Sequence, residues 1–189
     1  MNIIEHPLFP KLDTALRRGV HITSSDYVNH EFLARNFVEL AAFYGRYDAS
    51  LIEHPDGFFF LRTDGSVIPN KSLSKPCMHL GQLLAYLARA SAITRTRGVL
   101  QLEELYQTMS TMFAADLLAK IYVPNAKNSV SPQQIKNEVL RCLKVFAQLN
   151  MISFERGREA IQLTDAIGRF TEMARHDNSP SPAAKKKKS

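Results

Sequence analysis

No apolar run in this chain approaches the length needed to span a bilayer. The first ten residues hold Glu5, His6 and two prolines, with no basic patch followed by an apolar stretch, which predicts no signal peptide. Only two cysteines are present, Cys77 and Cys142, each isolated within an apolar-periodic stretch. Such a pair excludes a disulfide framework and suits buried, inert thiols in a reducing compartment, so the protein is expected in the cytoplasm. The eight glycines are scattered, with no Gly-x-Gly, no phosphate loop and no Gly-x-Ser-x-Gly elbow. The six histidines never fall at i, i+4 around a glutamate, and no zinc-ligand set occurs. The expectation is a protein without catalytic residues, cofactor or metal. His21 and His30 read as polar residues at element edges, and Asp13, Asp26 and Glu31 as charges at helix termini.

Charge of one sign is also scarce outside the tail. Four lysines, Lys185 to Lys188, against Asp177 take half of the net +6, leaving +3 for residues 1–176. Beyond Asp177 and Asn178 the last residues are Ser, Pro, Ala and Lys without apolar bulk, which predicts a disordered basic tail over 177–189. The remaining 176 residues are rich enough in apolar groups to fold.

What is present is a repeated order of elements. The spacing predicts a helix over Pro10–Arg18 ending at Gly19, a short extended piece Val20–Ile22, and one helix from Asn29 as N-cap to Gly45. Leu33, Phe37, Leu40, Ala41 and Tyr44 form its apolar stripe. The period then changes to that of a hairpin, Ala49–Glu53 and Phe58–Arg62, around the turn His54-Pro55-Asp56-Gly57. The second half repeats this order: a helix over Ser74–Ala90, a strand over Gly98–Leu100, and helices over Leu102–Met109 and Thr111–Ile121. The clearest helix follows, Ser131–Leu149, with Ser131 as N-cap, Pro132 at the first turn and Gln134 closing a capping box. A second hairpin, Met151–Glu155 and Ala160–Leu163, turns at Arg156-Gly157-Arg158. Thr164 then caps a closing helix to about Arg175.

Helix, short strand, helix and hairpin is the order of a winged helix. The fold class expected is therefore mainly α with small β-hairpins (α+β), as two winged-helix domains in tandem. Residues 1–65 form the first, 66–176 the second, and 177–189 the tail. The exposed stripe of the Ser131–Leu149 helix offers Gln133, Asn137, Arg141, Lys144 and Gln148, with Arg156 and Arg158 at the hairpin tip. This is the geometry of a DNA-contacting helix and wing, and equally the solvated face of any soluble helix; both readings stay open. Phe58, Phe59 and Phe60 are consecutive in a strand, so at least one points away from its own core. They predict a surface for a protein partner, either a second copy or a peptide, unless the second domain covers them.

At these residues the sequence resembles the MukE family. The likeness lies in His6-Pro7-Leu8-Phe9-Pro10, Leu12-Asp13, Ala15-Leu16-Arg17, Gly19, His21-Ile22, Asn29-His30, Phe32-Leu33, Phe43-Tyr44 and Arg46-Tyr47. Gly57-Phe58-Phe59-Phe60-Leu61-Arg62 with Ile68-Pro69 is its most specific stretch, and Glu104-Leu105-Tyr106 and Arg169-Phe170 extend it. The resemblance implies a non-catalytic, dimeric subunit of MukBEF- or MksBEF-type bacterial condensins, in a housekeeping or plasmid-directed system. Such a subunit binds the kleisin (MukF/MksF-like) and through it an SMC ATPase (MukB/MksB-like), on nucleoid DNA. From the residues alone, a winged-helix transcription regulator is the alternative.

Overall fold

The computed structural model describes residues 3–70, 72–90, 96, 98–126, 128–157 and 159–171. The fold is α+β, with helices packed on two small antiparallel sheets. In the first half, α1 (Phe9–Arg17) leads through Gly19 to Ile22, which bridges to Phe59. Helices α2 (Tyr27–Arg35) and α3 (Phe37–Gly45) follow, then the hairpin β1 (Ala49–His54) and β2 (Phe58–Thr63). In the second half, α4 (Lys75–Ala88), β3 (Val99–Gln101), α5 (Leu102–Met112), α6 (Ala115–Tyr122) and α7 (Pro132–Gln148) precede β4 (Ile152–Phe154) and β5 (Ala160–Leu163). The three short strands form one sheet in the order β3-β5-β4. Among the described residues no helix is long and apolar enough to cross a membrane.

The single helix expected over Asn29–Gly45 is two. Asn36 leaves helical geometry (φ −115°, ψ 21°) and its side chain donates to the Phe32 carbonyl at 2.8 Å. A short amide that satisfies its own turn competes with the helical ladder, and here it ends α2. Asp26, not Asn29, caps α2: its carboxylate accepts from the Asn29 backbone N–H and side-chain amide. The predicted apolar stripe survives because Leu33, Leu40 and Tyr44 stay buried on both sides of the break. Helix α7 is as expected: Ser131 and Gln134 complete the capping box. Thr164 does not cap; its hydroxyl donates back to the Asn150 carbonyl at 2.9 Å, and a 3-10 turn, Asp165–Gly168, follows. The predicted helix beyond Thr171, like Arg158 and the tail, lies outside the described residues.

Two apolar cores result, and β2 feeds both. Phe59 joins Leu12, Leu16, Leu33, Leu40 and Tyr44 in the first. Phe58 and Phe60 join Leu80, Leu84, Leu143, Phe146 and Phe170 in the second. Side chains alternate across a strand, so consecutive phenylalanines go to opposite faces. The partner surface expected at Phe58, Phe59 and Phe60 is corrected accordingly: they are 0, 0 and 4 % exposed, because the second half covers the face that the first leaves open.

The second core is closed by a close approach between α4 and Phe170. A methyl group added at Gly81 would lie 2.3 Å from the Phe170 ring, which is itself held edge-on to Phe146 at 5.4 Å. Gly81→Ala gains about 1 kcal/mol of helix propensity, but overpacking of this kind costs about 1–3 kcal/mol. The expected outcome is a net loss of up to about 2 kcal/mol in urea denaturation, partly recovered by adding Phe170→Leu. A stabilised Gly81→Ala variant would contradict the packing described.

Candidate interaction surfaces

The exposed face of α7 is where the sequence places it. Gln133, Asn137, Arg141, Lys144 and Gln148 are all solvent-exposed, and Val139, Cys142, Leu143 and Phe146 are buried behind them. Gln133 donates to Asn137 at 3.1 Å, and Arg141 is tied to Glu138 one turn back. Along one edge of the stripe runs a groove of about 1160 Å3 between α7, the start of α5 and the β4–β5 hairpin. Gln133, Lys144 and Arg156 border it, and Lys136 crosses it to Glu103 at 3.1 Å, lying 4.7 Å over the Tyr106 ring.

The charges in this groove decide what it suits. Its described lining carries three cations, Lys136, Lys144 and Arg156, and three carboxylates, Glu103, Glu155 and Glu159. A duplex-binding groove needs a cationic surplus to displace counterions from phosphates. Here the described charges cancel. Of the residues predicted for DNA contact, Gln133, Lys144 and Arg156 border the groove and Asn137 and Arg141 lie on the exposed face of α7, but the groove is amphipathic and its described charges balance.

The seam between the halves was not foreseen. His21 and His30 do not converge. His30 Nε2 donates to the Gly57 carbonyl at 3.0 Å, and its ring packs on Phe59. His21 is fully buried where the halves meet, not at a solvated edge. Its backbone N–H and its Nδ1 both reach the Leu149 carbonyl at 3.0 Å, at the C-terminal end of α7, where carbonyls lack helical partners. Its Nε2 stands 3.0 Å from Arg169 Nη1. A guanidinium only donates, so Nε2 must accept and Nδ1 must carry the proton. The ring is therefore a neutral tautomer fixed by its neighbours. Burial, then the Arg169 charge, pulls its pKa down to about 3.

Asn150 completes the seam. It occupies the left-handed region (φ 58°) just past α7, a position open to asparagine as well as glycine. Its amide donates to the His21 carbonyl at 2.8 Å. Ser24 reaches Asp165 at 3.1 Å, and Arg169 lies 4.3 Å over the Phe60 ring. An asparagine directly after an amphipathic helix was a visible signal for the turn. Nothing in the sequence connected it to a histidine 129 residues away.

Beside the seam lies a cavity of about 1090 Å3. The end of α1, the residues to Val20, the end of β2, the segment before α4, the end of α7 with Met151, and Arg169 and Phe170 enclose it. Arg17, Arg18 and Arg169 line it, and among its described lining residues there is no carboxylate. Asp13 sits behind Arg17, at 2.8 Å, and also accepts from the Tyr44 hydroxyl, so it is a buttress and not a charge at a helix terminus. Glu31 likewise pairs with Arg35 within α2. The two thiols are buried, and the Cys142 thiol is pushed up by its hydrogen bond to Cys77 and by burial.

The sequence profile of the MukE-like family matches residues 1–187. This chain belongs to the MukE-like family. It is 32 % identical to the chromosome partition protein MukE of Vibrio cholerae over 169 residues, 88 % of this chain and 73 % of that one. Against the protein of the same name from Shigella flexneri it is 32 % identical over 187 residues, 97 % of this chain and 83 % of the other. With that of Vibrio vulnificus strain YJ016 it shares 33 % over 167 residues, 87 % and 72 % of the two. The resemblance read from the opening residues to Arg169-Phe170 thus holds along the MukE-like chain as a whole.

Proposed function

We propose that this MukE-like protein is a non-catalytic chromosome-partition subunit of a MukBEF- or MksBEF-type complex. It acts as a homodimer in the cytoplasm, at the nucleoid, bound to a kleisin and through it to an SMC ATPase. The match of the family profile over residues 1–187 carries this reading. We read the two halves, 1–65 and 66–176, as winged helices in tandem. The order α1, the Ile22 bridge, α2–α3 and β1–β2, echoed by α4, β3, α5–α7 and β4–β5, supports that. The balanced charge beside α7 favours a subunit that reaches DNA within an assembly over a regulator that reads an operator alone.

Co-expression with a kleisin and a long coiled-coil ATPase of the MukBEF or MksBEF type from the same organism tests the assignment. The expected result is a complex stable through size-exclusion chromatography, at a mass that requires two copies of this chain. In 150 mM salt the isolated protein should show no preference among duplex sequences. Elution apart from the kleisin, with tight binding to one duplex that Arg141→Ala weakens, would establish the regulator instead.

A further inference from the structure

We propose that Cys77 and Cys142 form an oxidation-sensitive dithiol, which hydrogen peroxide closes to an intramolecular disulfide tying α4 to α7. The inference goes beyond the family assignment and does not depend on which complex the protein joins.

Three observations carry it. The two cysteines are remote in the sequence, yet α4 packs on α7 and the Cys142 thiol donates a hydrogen bond to the Cys77 sulfur. Both are free thiols in one core. The pair also sits at the margin of that core. Cys77 and Cys142 are 5 and 4 % exposed, whereas Leu80, Leu84, Leu143 and Phe146 of the same cluster are 0 % exposed. Ser74 and Lys75 before the one, and Arg141 before the other, are exposed. A molecule of two heavy atoms needs only a local opening of the first turn of α4 to arrive, of the kind that helix ends make.

The third observation is that the two sulfurs differ. Cys77 is the third residue of α4, and the Ser74 hydroxyl that caps this helix accepts from the Cys77 backbone N–H at 3.4 Å. A helix start favours a thiolate. Hydrogen bonds from Cys142 and Ser74 hold the Cys77 thiol below its ordinary range, against the effect of burial. The same contact and burial push Cys142 up. Cys77 is therefore the nucleophile, and Cys142 keeps its proton until the second step.

The chemistry balances in two steps. The Cys77 thiolate attacks one peroxide oxygen, the O–O bond breaks, and the other oxygen leaves as water with a proton from solvent. Cys77 is then a sulfenic acid. The Cys142 sulfur displaces its hydroxyl, which takes the Cys142 proton and leaves as a second water as the S–S bond forms. Two thiols are oxidised by two electrons and one peroxide is reduced. In a reducing compartment such a bond is transient.

Peroxide treatment of the folded full chain, then blocking with N-ethylmaleimide under denaturing conditions and peptide mass mapping, tests this. The untreated protein should take up two maleimides and the treated protein none. The treated chain should migrate as a monomer and yield one peptide pair joining Cys77 to Cys142, lighter by two hydrogens than the separate peptides. Dithiothreitol should restore both thiols. In Cys142→Ala, dimedone should trap Cys77 as its sulfenic acid. In Cys77→Ala, the remaining thiol should react about ten-fold more slowly. Persistence of both thiols, a disulfide between two chains, or oxygens added to one cysteine without a cross-link would each overturn the proposal.

Discussion

Acidification from pH 7 to pH 5 is expected to remove about 2 kcal/mol of folding stability through His21 alone. An unfolded histidine titrates near pH 6.5, whereas the folded ring resists protonation down to about pH 3. Above 6.5 both states leave it neutral, and its contribution is complete. As pH falls below 6.5 the unfolded chain takes up a proton that the folded chain refuses, so stability drops by about 1.4 kcal/mol per unit until the folded pKa is reached. The geometry gives the reason. A proton on Nε2 would set two donors against each other across 3.0 Å, in a site without solvent. His21→Gln should be less stable at pH 7 by about 1–3 kcal/mol, since it satisfies the two hydrogen bonds less well. Its stability should, however, fall less steeply between pH 7 and 5. Urea denaturation at half-unit intervals measures both slopes. Parallel slopes for the two proteins would exclude His21 as the titrating group.

Truncating Phe59 gives the other large effect. Were the phenylalanine run a surface awaiting a partner, Phe59→Ala would change stability by less than about 0.5 kcal/mol. At 0 % exposure, packed with Phe37 and His30, its loss should instead cost about 3–5 kcal/mol. The urea midpoint decides between these values, and a near-neutral result would return the strand to the surface. His30 would lose its ring neighbour in the same variant, so proton exchange at its imidazole should also quicken in NMR spectra.

Some of the local chemistry is legible in the sequence alone. Pro132, Gln134 and Ser131 fixed the start of α7 by themselves. Gly57, at φ +82°, did the same for the β1–β2 turn. The errors came where a short polar side chain had two options. Asn36 terminates a helix that its apolar periodicity would have continued, and Thr164 turns back to Asn150 when it could have capped. The seam was illegible for a different cause. His21, Asn150 and Arg169 meet across 128 to 148 residues, and no periodicity encodes a contact between separate elements. The arginines of the inter-half cavity share that difficulty: Arg17 and Arg18 close one helix, and Arg169 lies about 150 residues further along the chain, just past the 3-10 turn Asp165–Gly168. The charge balance of the α7 groove was hidden as well, since Glu103 and Glu159 reach it from other elements.

A strand that sends alternate side chains into different cores has a mechanical meaning. Severed after residue 65, the first half would expose Phe58 and Phe60 to water. The second half on its own would be missing two of its largest rings. Each half therefore finishes the folding of the other, and heat should take both apart in one step. A force applied to either end of this subunit would be felt at the opposite end, with β2 as the shared beam.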